Sequence, residues 1–479
     1  MIKIYISNII YNIILNIIMD KDKYDVLIIG GGVSGTALFY VLSKYTDISS
    51  VALLEKYNKV AQVNSRGRNN SQTLHVGDIE TNYPLEKAKI VKTAAMMIPT
   101  YVKKLHPDEQ NKILFKVSKM VLAVAKDEVV QLEKRYEEIK ELYPDLQKLD
   151  KRGIEKVEPN ITKGRRENEE ILALYTHDGY AVDYEMLAAS FVKEVKRGAN
   201  NWSNLFLGCK VKNIKRTDDV YQVATNQGVF KAGVVVVDAD SYSLLFAKSL
   251  GYGNKFSLVP IAGNFYFSDR LLNGKVYTIQ NKKLPFASVH GDPDVQVSNK
   301  TRWGPTAKFF PVLESGKLST SVDYFKSAGL FRYCTAKSFI KILSDHTRFK
   351  YLVKNALYDL PLVGKILFLA NIRKIVPSIK ARDLKKAKGF GGMRLQRVDT
   401  ETHELQLGEG RIIGNHIIFN MTPSPGASVC LFNAVRDTEE IMKFFNNKFS
   451  FDKYTMENEC AGGYPCETNR STSLDAYFS

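Results

Sequence analysis

Three glycines in one short turn carry the first legible chemistry. Asp25-Val26-Leu27-Ile28-Ile29 is an apolar run of the kind that forms a buried parallel strand. It ends in Gly30-Gly31-Gly32-Val33-Ser34-Gly35, and the helical pattern Thr36 to Leu42 follows. A second apolar run, Ser50 to Leu54, stops at the acid Glu55. Strand, glycine turn, helix, strand and acid stand in the order a dinucleotide needs. Gly30 permits the tight turn, Gly32 lets the backbone approach a diphosphate, and Gly35 lets helix and strand pack closely. The diphosphate is then held by the open N–H groups and the positive end of the helix. Glu55 lies where a carboxylate accepts from ribose hydroxyls.

A second group of reactive side chains follows at once. Lys59 to Tyr83 breaks the apolar periodicity, and within it lie Asn70-Ser71-Gln72-Thr73-Leu74-His75-Val76-Gly77. A long polar loop directly after a nucleotide-binding unit is more often functional than filler.

The elements that must position these residues come in alternating blocks. Leu85 to Leu146 reads as helical, with charge runs that suit a solvated face. Val182 to Lys196 reads as a helix capped by Asp183. Phe206 to Ile214, Val220 to Thr225 and Gly228 to Lys231 read as strands, and Gly233 to Asp238 as another buried strand. The nucleotide fold therefore resumes some 150 residues after it begins. Leu258 to Pro311 reads as a mixed sheet facing a substrate. Tyr324 to Lys374 is helical, aromatic and basic, with ten basic residues against the acids Asp345 and Asp359. Such a segment is either an ordinary amphipathic pair of helices or a surface that meets anionic lipid. Gly414 to Phe419 reads as a strand and Val429 to Phe445 as a helix. The polar tail beyond Lys453 reads as disordered.

The chain has 479 residues, enough for more than one domain. The expected architecture is α/β: a nucleotide-binding domain from residues 19–83, 165–250 and 386–450, and a mixed sheet and helical substrate domain from residues 84–164 and 251–385. Residues 1–18 form an isoleucine-rich leader of uncertain role, and residues 451–479 a flexible tail. The net charge of +17 favours anionic partners. Five cysteines are few; Cys209, Cys334 and Cys430 read as reduced packing residues, whereas Cys460 and Cys466 in the polar tail leave a redox pair or a metal half-site open. Cys460 and Cys466 lack the further ligands a zinc site needs, so no metal is expected.

Several stretches together resemble the malate:quinone oxidoreductase family, within the glycine/D-amino-acid oxidase superfamily. They are the Gly30 to Gly35 turn, Asn70 to His75, Ile79 to Tyr83, Leu284 to Asp294, Gly304 to Ala307, and Asn420 to Ala427. The resemblance runs from about Tyr24 to about Phe449. It implies a Rossmann-like FAD-binding fold of the glutathione-reductase type (GR2), with FAD as cofactor in an extended form. The diphosphate would lie at Gly30, Gly32 and Gly35, the ribose at Glu55 and the adenine beside Val211. The Asn70-Ser71 loop would run beside the flavin, and the last helix would start at Pro425-Gly426-Ala427 with its N–H groups towards it. The sequence departs from the family pattern in two places. Asp238-Ala239-Asp240 stands where the family usually has Asn-Ala-Gly, and Arg394-Leu395-Gln396 where it tends to have Arg-Pro-Gln.

The resemblance implies oxidation of (S)-malate to oxaloacetate by hydride transfer to flavin, with electrons passed to membrane quinone. The partners expected are malate or a similar 2-hydroxy dicarboxylate, quinone and a membrane surface met peripherally, with no nucleic acid. The location expected is an energy-transducing membrane, mitochondrial if eukaryotic and at the cytoplasmic face if bacterial. Cations must hold the carboxylates, and a base must take the hydroxyl proton. Arg302 and Arg394 are the candidates for the first task, His290 and His75 for the second. Competing readings are an FAD-dependent dehydrogenase or oxidase for L-2-hydroxyglutarate or a related 2-hydroxy acid, an NAD enzyme and a basic RNA-binding flavoprotein.

Overall fold

The computed structural model describes residues 22–280, 288–330, 332–358, 360, 363–406, 409–422 and 424–462. The leader 1–18, the stretch 284–287, Pro423 and Cys466 lie outside the described residues. The chain opens with β1 (Lys23–Ile29), α1 (Val33–Tyr45) and β2 (Ser50–Leu54). It leaves through α2 (Leu85–Val102), β3 (Lys119–Val124) and β4 (Ile171–Thr176), and returns with α3 (Tyr184–Gly198), β5 (Trp202–Phe206) and β6 (Val229–Val237). A second excursion gives β7 (Phe256–Ala262), β8 (Lys275–Thr278), β9 (His290–Pro293) and β10 (Lys300–Gly304). Four helices follow: α4 (Ser321–Ala328), α5 (Tyr333–Ser344), α6 (His346–Leu357) and α7 (Val363–Arg373). β11 (Met393–Asp399), β12 (Ile417–Met421), α8 (Cys430–Phe444) and α9 (Lys453–Cys460) come last.

Five parallel strands in the order β12-β6-β1-β2-β5 form the first sheet's centre. Their residues are apolar on both faces because both faces are covered. On one side α1, α2, α3 and α8 close a core around Phe39, Tyr101 and Phe191. On the other, a smaller core gathers Leu27, Tyr221, Val235 and Phe419. In a second, mixed sheet β10, β9, β8, β3 and β4 are consecutive, with β8 and β3 parallel. β7 and β11 pair antiparallel in a third sheet, with Ile261 opposite Arg394.

Four sequence expectations need correction. The stretch read as helical from Leu85 to Leu146 contains β3. Its run Met120 to Ala123 is buried on both faces, and a fully apolar run has no period that separates strand from helix. The two strands expected before and after Gly233 are one, β6, because Gly233 stays in the ladder. Within the expected tail, Lys453–Cys460 form α9, where Met456 and Cys460, one helical turn apart, are buried in the first core. The expected domain limit at residue 84 does not coincide with a limit between cores, since Val91, Ala94 and Ile98 of α2 pack with α1 and α3. Asp183 caps α3 as expected, accepting from the amides of Glu185 and Met186.

Buried polar contacts tie the irregular loop 70–80 to the second sheet. Lys119 on β3 pairs with Asp78 at 2.8 Å, with both side chains fully buried. Lys275 on β8 donates to the Ser71 carbonyl at 3.0 Å. The Val295 amide donates to Gln72 Oε1 at 3.1 Å, and the Tyr277 hydroxyl bonds Thr73 Oγ1. Breaking a buried pair by removing one partner leaves an uncompensated charge. Lys119→Met is therefore expected to cost about 3–5 kcal/mol in denaturant unfolding, and adding Asp78→Asn to recover most of the loss.

Candidate functional site

A cavity of about 500 Å³ opens at the carboxyl ends of β1, β2 and β6, where Gly30, Glu55 and Asp238 line it. This is where open parallel sheets bind ligands. The cavity runs from Cys209, Lys210 and Val211, past Gly32 and Ser34, to His75, Arg394 and Ala427.

The middle of the cavity is built to receive an anion. Gly30 takes φ +115°, and a Cβ there would lie 2.3 Å from the Asp238 carbonyl. A Cβ on Gly35 would lie 2.0 Å from the Gly30 carbonyl, so Gly35 serves packing behind the wall. The N-cap residue of α1, Gly32, supplies no side-chain cap. Ser65 Oγ accepts from the Val33 amide at 3.0 Å. The amides of Gly32 and Ser34, both in the cavity wall, have no acceptor among the described residues. Open N–H groups at the positive end of a helix suit a diphosphate. Glu55 accepts from the amides of Gly31 (2.7 Å) and Tyr57 (2.8 Å). Burial raises its pKa against those two donors. Each oxygen keeps a lone pair for a hydroxyl. The wall thus fits a dinucleotide.

Two acids border this anion site. Asn420 Nδ2 donates both to Asp238 Oδ1 at 2.9 Å and to Asp437 Oδ2 at 2.5 Å, so one amide bridges two carboxyl groups. Arg411 pairs with Asp437 at 2.9 Å. Burial, and then the neighbouring Asp437, push Asp238 up to about 7, against the Asn420 hydrogen bond. Asp240 is also raised by burial, although Asn64 donates to it.

At the far end stand His75 and Arg394. His75 Nδ1 lies 2.5 Å from Glu80 Oε1, and its Nε2 lies 3.3 Å from Ser71 Oγ. The His75 amide donates to Ser428 Oγ at 3.0 Å. Arg394 projects from β11 and has no acidic partner among the described residues. Burial lowers its pKa, and Tyr277, Tyr351 and Tyr83 raise it. A guanidinium stays protonated even so, which leaves an open cation in the cavity wall.

His290 and Arg302, expected at the reaction centre, do not line the cavity. Arg302 is fully buried, bonds Asp292 at 3.0 Å and pairs with Asp294 at 3.2 Å. His290 stacks on Tyr277 with centroids 4.5 Å apart and lies 3.1 Å from Asp292. Burial, helped by Lys275, Arg302 and Arg394, brings it down to about 3 despite Asp292. These residues are the second sheet's internal ion cluster, with Lys275 3.4 Å from Asp292.

The nucleotide-side expectations fall as follows. Gly30, Gly32, Glu55, Asn70, Ser71, Val211, Pro425 and Ala427 all line the cavity. The Asn70 side chain is taken up inside its own loop, donating to the carbonyls of Asn64 and Arg66 and accepting from the Gln72 amide. A Cβ on Gly426 would lie 2.6 Å from the Thr422 carbonyl. The helix expected to start at Pro425 starts at Cys430 instead, after turns closed by Ser428 and Val429. Glu80 escaped the sequence reading. Two signals for it were present there: its place in the Ile79 to Tyr83 stretch that carries the family resemblance, and a carboxylate five residues from a histidine in the same loop.

A family model described as malate:quinone oxidoreductase matches residues 22–457. A probable malate:quinone oxidoreductase of Campylobacter jejuni is 43% identical over 449 residues, covering 92% of this chain and all of that protein. The malate:quinone oxidoreductase of Helicobacter pylori is 42% identical over 451 residues, covering 90% and 97%. Among solved structures, a dithionite-reduced L-α-glycerophosphate oxidase from Mycoplasma pneumoniae with FAD bound superposes with a TM-score of 0.60 at 20% identity. That match covers 90% of this chain and 96% of the other.

The Asp238 geometry generates a prediction for stability. A carboxyl whose pKa is raised by folding contributes stability that is complete below about pH 4. That contribution falls as pH rises and is gone above about 7. Asp238→Asn keeps the neutral form at every pH. Its stability advantage over the parent, read from urea midpoints, is expected to grow between pH 4 and 7 and then level off, on the order of 1–4 kcal/mol.

Proposed function

This chain belongs to the malate:quinone oxidoreductase family, and on that premise we propose how its residues carry the reaction. The activity is oxidation of malate with a flavin, and electrons pass on to quinone. We infer FAD as the flavin, with the open amides of Gly32 and Ser34 on its diphosphate and Glu55 on its ribose. Bound flavin supplies the two-electron acceptor for the C2 hydrogen of the substrate.

The protein's own part is binding and proton transfer. Arg394 holds a substrate carboxylate through its planar fork of donors. His75 takes the hydroxyl proton at Nε2, because Nδ1 is committed to Glu80. The observation that carries this reading is the presence of both groups in the lining of one cavity. His290 is buried and too weakly basic for that task. Arg302 is spent on Asp292 and Asp294.

Quinone lies in the bilayer, so the electron exit must meet a membrane surface. Among the described residues no helix is long and apolar enough to cross one. We place the contact on α4 to α7. Thirteen of the twenty-three exposed large apolar side chains among the described residues fall within residues 318–367, including Tyr333, Ile340, Phe349 and Ile366. Exposed lysines 326, 337, 341, 350 and 354 stand among them. Apolar side chains ringed by lysine fit an anionic bilayer. The named relatives are bacterial, so mitochondrial placement gains no support from them.

Three outcomes are expected. Anaerobic addition of (S)-malate bleaches the bound flavin faster than other 2-hydroxy acids do; a faster homologue of malate would reassign the substrate. His75→Gln lowers the flavin reduction rate by about 100-fold or more with flavin still bound, and Arg394→Gln raises the malate KM at least about tenfold. Replacing lysines 337, 341, 350 and 354 by glutamate releases the protein from phosphatidylglycerol vesicles while dye-linked malate oxidation persists. Unchanged co-sedimentation would reject that surface.

A further inference from the structure

We propose that Glu80 is a positioning residue of the reaction, which accepts the Nδ1 hydrogen of His75 and so leaves Nε2 as the ring's proton acceptor at the cavity. The inference rests on the reading of His75 as the base and adds a residue that acts through it.

The contact is short and buried. Glu80 Oε1 lies 2.5 Å from His75 Nδ1, and the Glu80 side chain is 5% exposed. Burial opposes its charge. The His75 hydrogen bond, the His75 charge and Lys119 outweigh it and hold the carboxyl below its usual range. Glu80 is therefore an acceptor only. The other imidazole tautomer would set a bare Nδ1 lone pair against a carboxylate oxygen, so the protein selects Nδ1–H. In that tautomer Nε2 is an acceptor, facing the Ser71 hydroxyl at 3.3 Å. That distance is long for an O–H···N bond, so a substrate hydroxyl can displace the Ser71 hydroxyl with little loss.

Both partners are fixed from behind. Arg135 Nη2 donates to the Glu80 carbonyl at 3.3 Å. The His75 amide is held by Ser428 Oγ, which also bonds the Tyr184 hydroxyl at 2.8 Å. Among the described residues, Glu80 Oε2 is buried with no hydrogen-bond partner. A carboxylate kept only to brace the loop would be saturated by loop amides. This one, among the described residues, has its side-chain hydrogen bond to an imidazole, and its charge stabilises the imidazolium formed when His75 takes a proton.

The test uses flavin-loaded full-length protein and anaerobic stopped-flow reduction by malate. Glu80→Gln is expected to lower the limiting reduction rate about 100-fold, with the malate dissociation constant changed less than about twofold. Glu80→Asp, which keeps the charge, should recover part of the rate. An unchanged limiting rate in Glu80→Gln, where His75→Gln is inactive, overturns this inference alone. Full activity in His75→Gln overturns the reading of the base beneath it. A second measurement does not depend on variants of Glu80. The ¹⁵N resonances of His75, assigned by their loss in His75→Gln, should show Nδ1 protonated and Nε2 bare. The opposite tautomer overturns the proposal.

Discussion

The commitment of the 70–80 loop to the second sheet is the constraint on which the rest of the site depends. The loop carries Ser71, His75 and Glu80 but has almost no regular structure of its own. A backbone of that kind is normally solvated. Here it lies between two sheets, and its polar groups are met one by one: Ser71 carbonyl by Lys275, Asp78 by Lys119, Gln72 by the Val295 amide. Each contact comes from a different part of the second sheet or its connections. The cost of leaving any of these groups unpaired in a dry interior is what makes a single arrangement prevail.

Charge is sorted by the same logic. Two arginines, each within a strand, end in opposite states. Arg302 points into the second sheet, where Asp292 and Asp294 neutralise it. Arg394 points into the cavity among tyrosines, and its charge is left open to a ligand. Histidines divide likewise. His290 lies between a tyrosine ring and cations and is kept neutral by burial, whereas His75 keeps a carboxylate on one nitrogen and the cavity on the other. Near the helix N-terminus, Asp238 adds a carboxyl where negative charge is already expected. Its raised pKa is the protein's response: a buried acid beside another acid gives up its proton only at higher pH.

α6 illustrates how one helix serves two environments. Tyr351 and Asn355, four residues apart, face inward. The Tyr351 ring lies within electrostatic range of Arg394, and Asn355 accepts from the Ala307 amide in the cavity wall at 2.8 Å. Phe349, Val353 and Leu357, also four apart, are exposed on the opposite side. The 3.6-residue period makes these stripes. The outer stripe leaves these apolar side chains about half exposed.

The nucleotide half was legible in the sequence because its rules are local. A glycine turn, the strand before it and the acid after the next strand are bound by short-range geometry, and the structure has them at Gly30, β1 and Glu55. The family resemblance rested on stretches of the same local kind. What tertiary structure alone decided was partnership. Whether Arg302 or Arg394 is free depends on which acids fold against each, and only the fold sets Glu80 against one nitrogen of His75 and brings the ring to the cavity. β3 and α9 were misread for a related reason: a continuous apolar run and two buried side chains one turn apart take their meaning from the surfaces they meet. Burial and pairing are properties of distant segments brought together, and no window of sequence contains them.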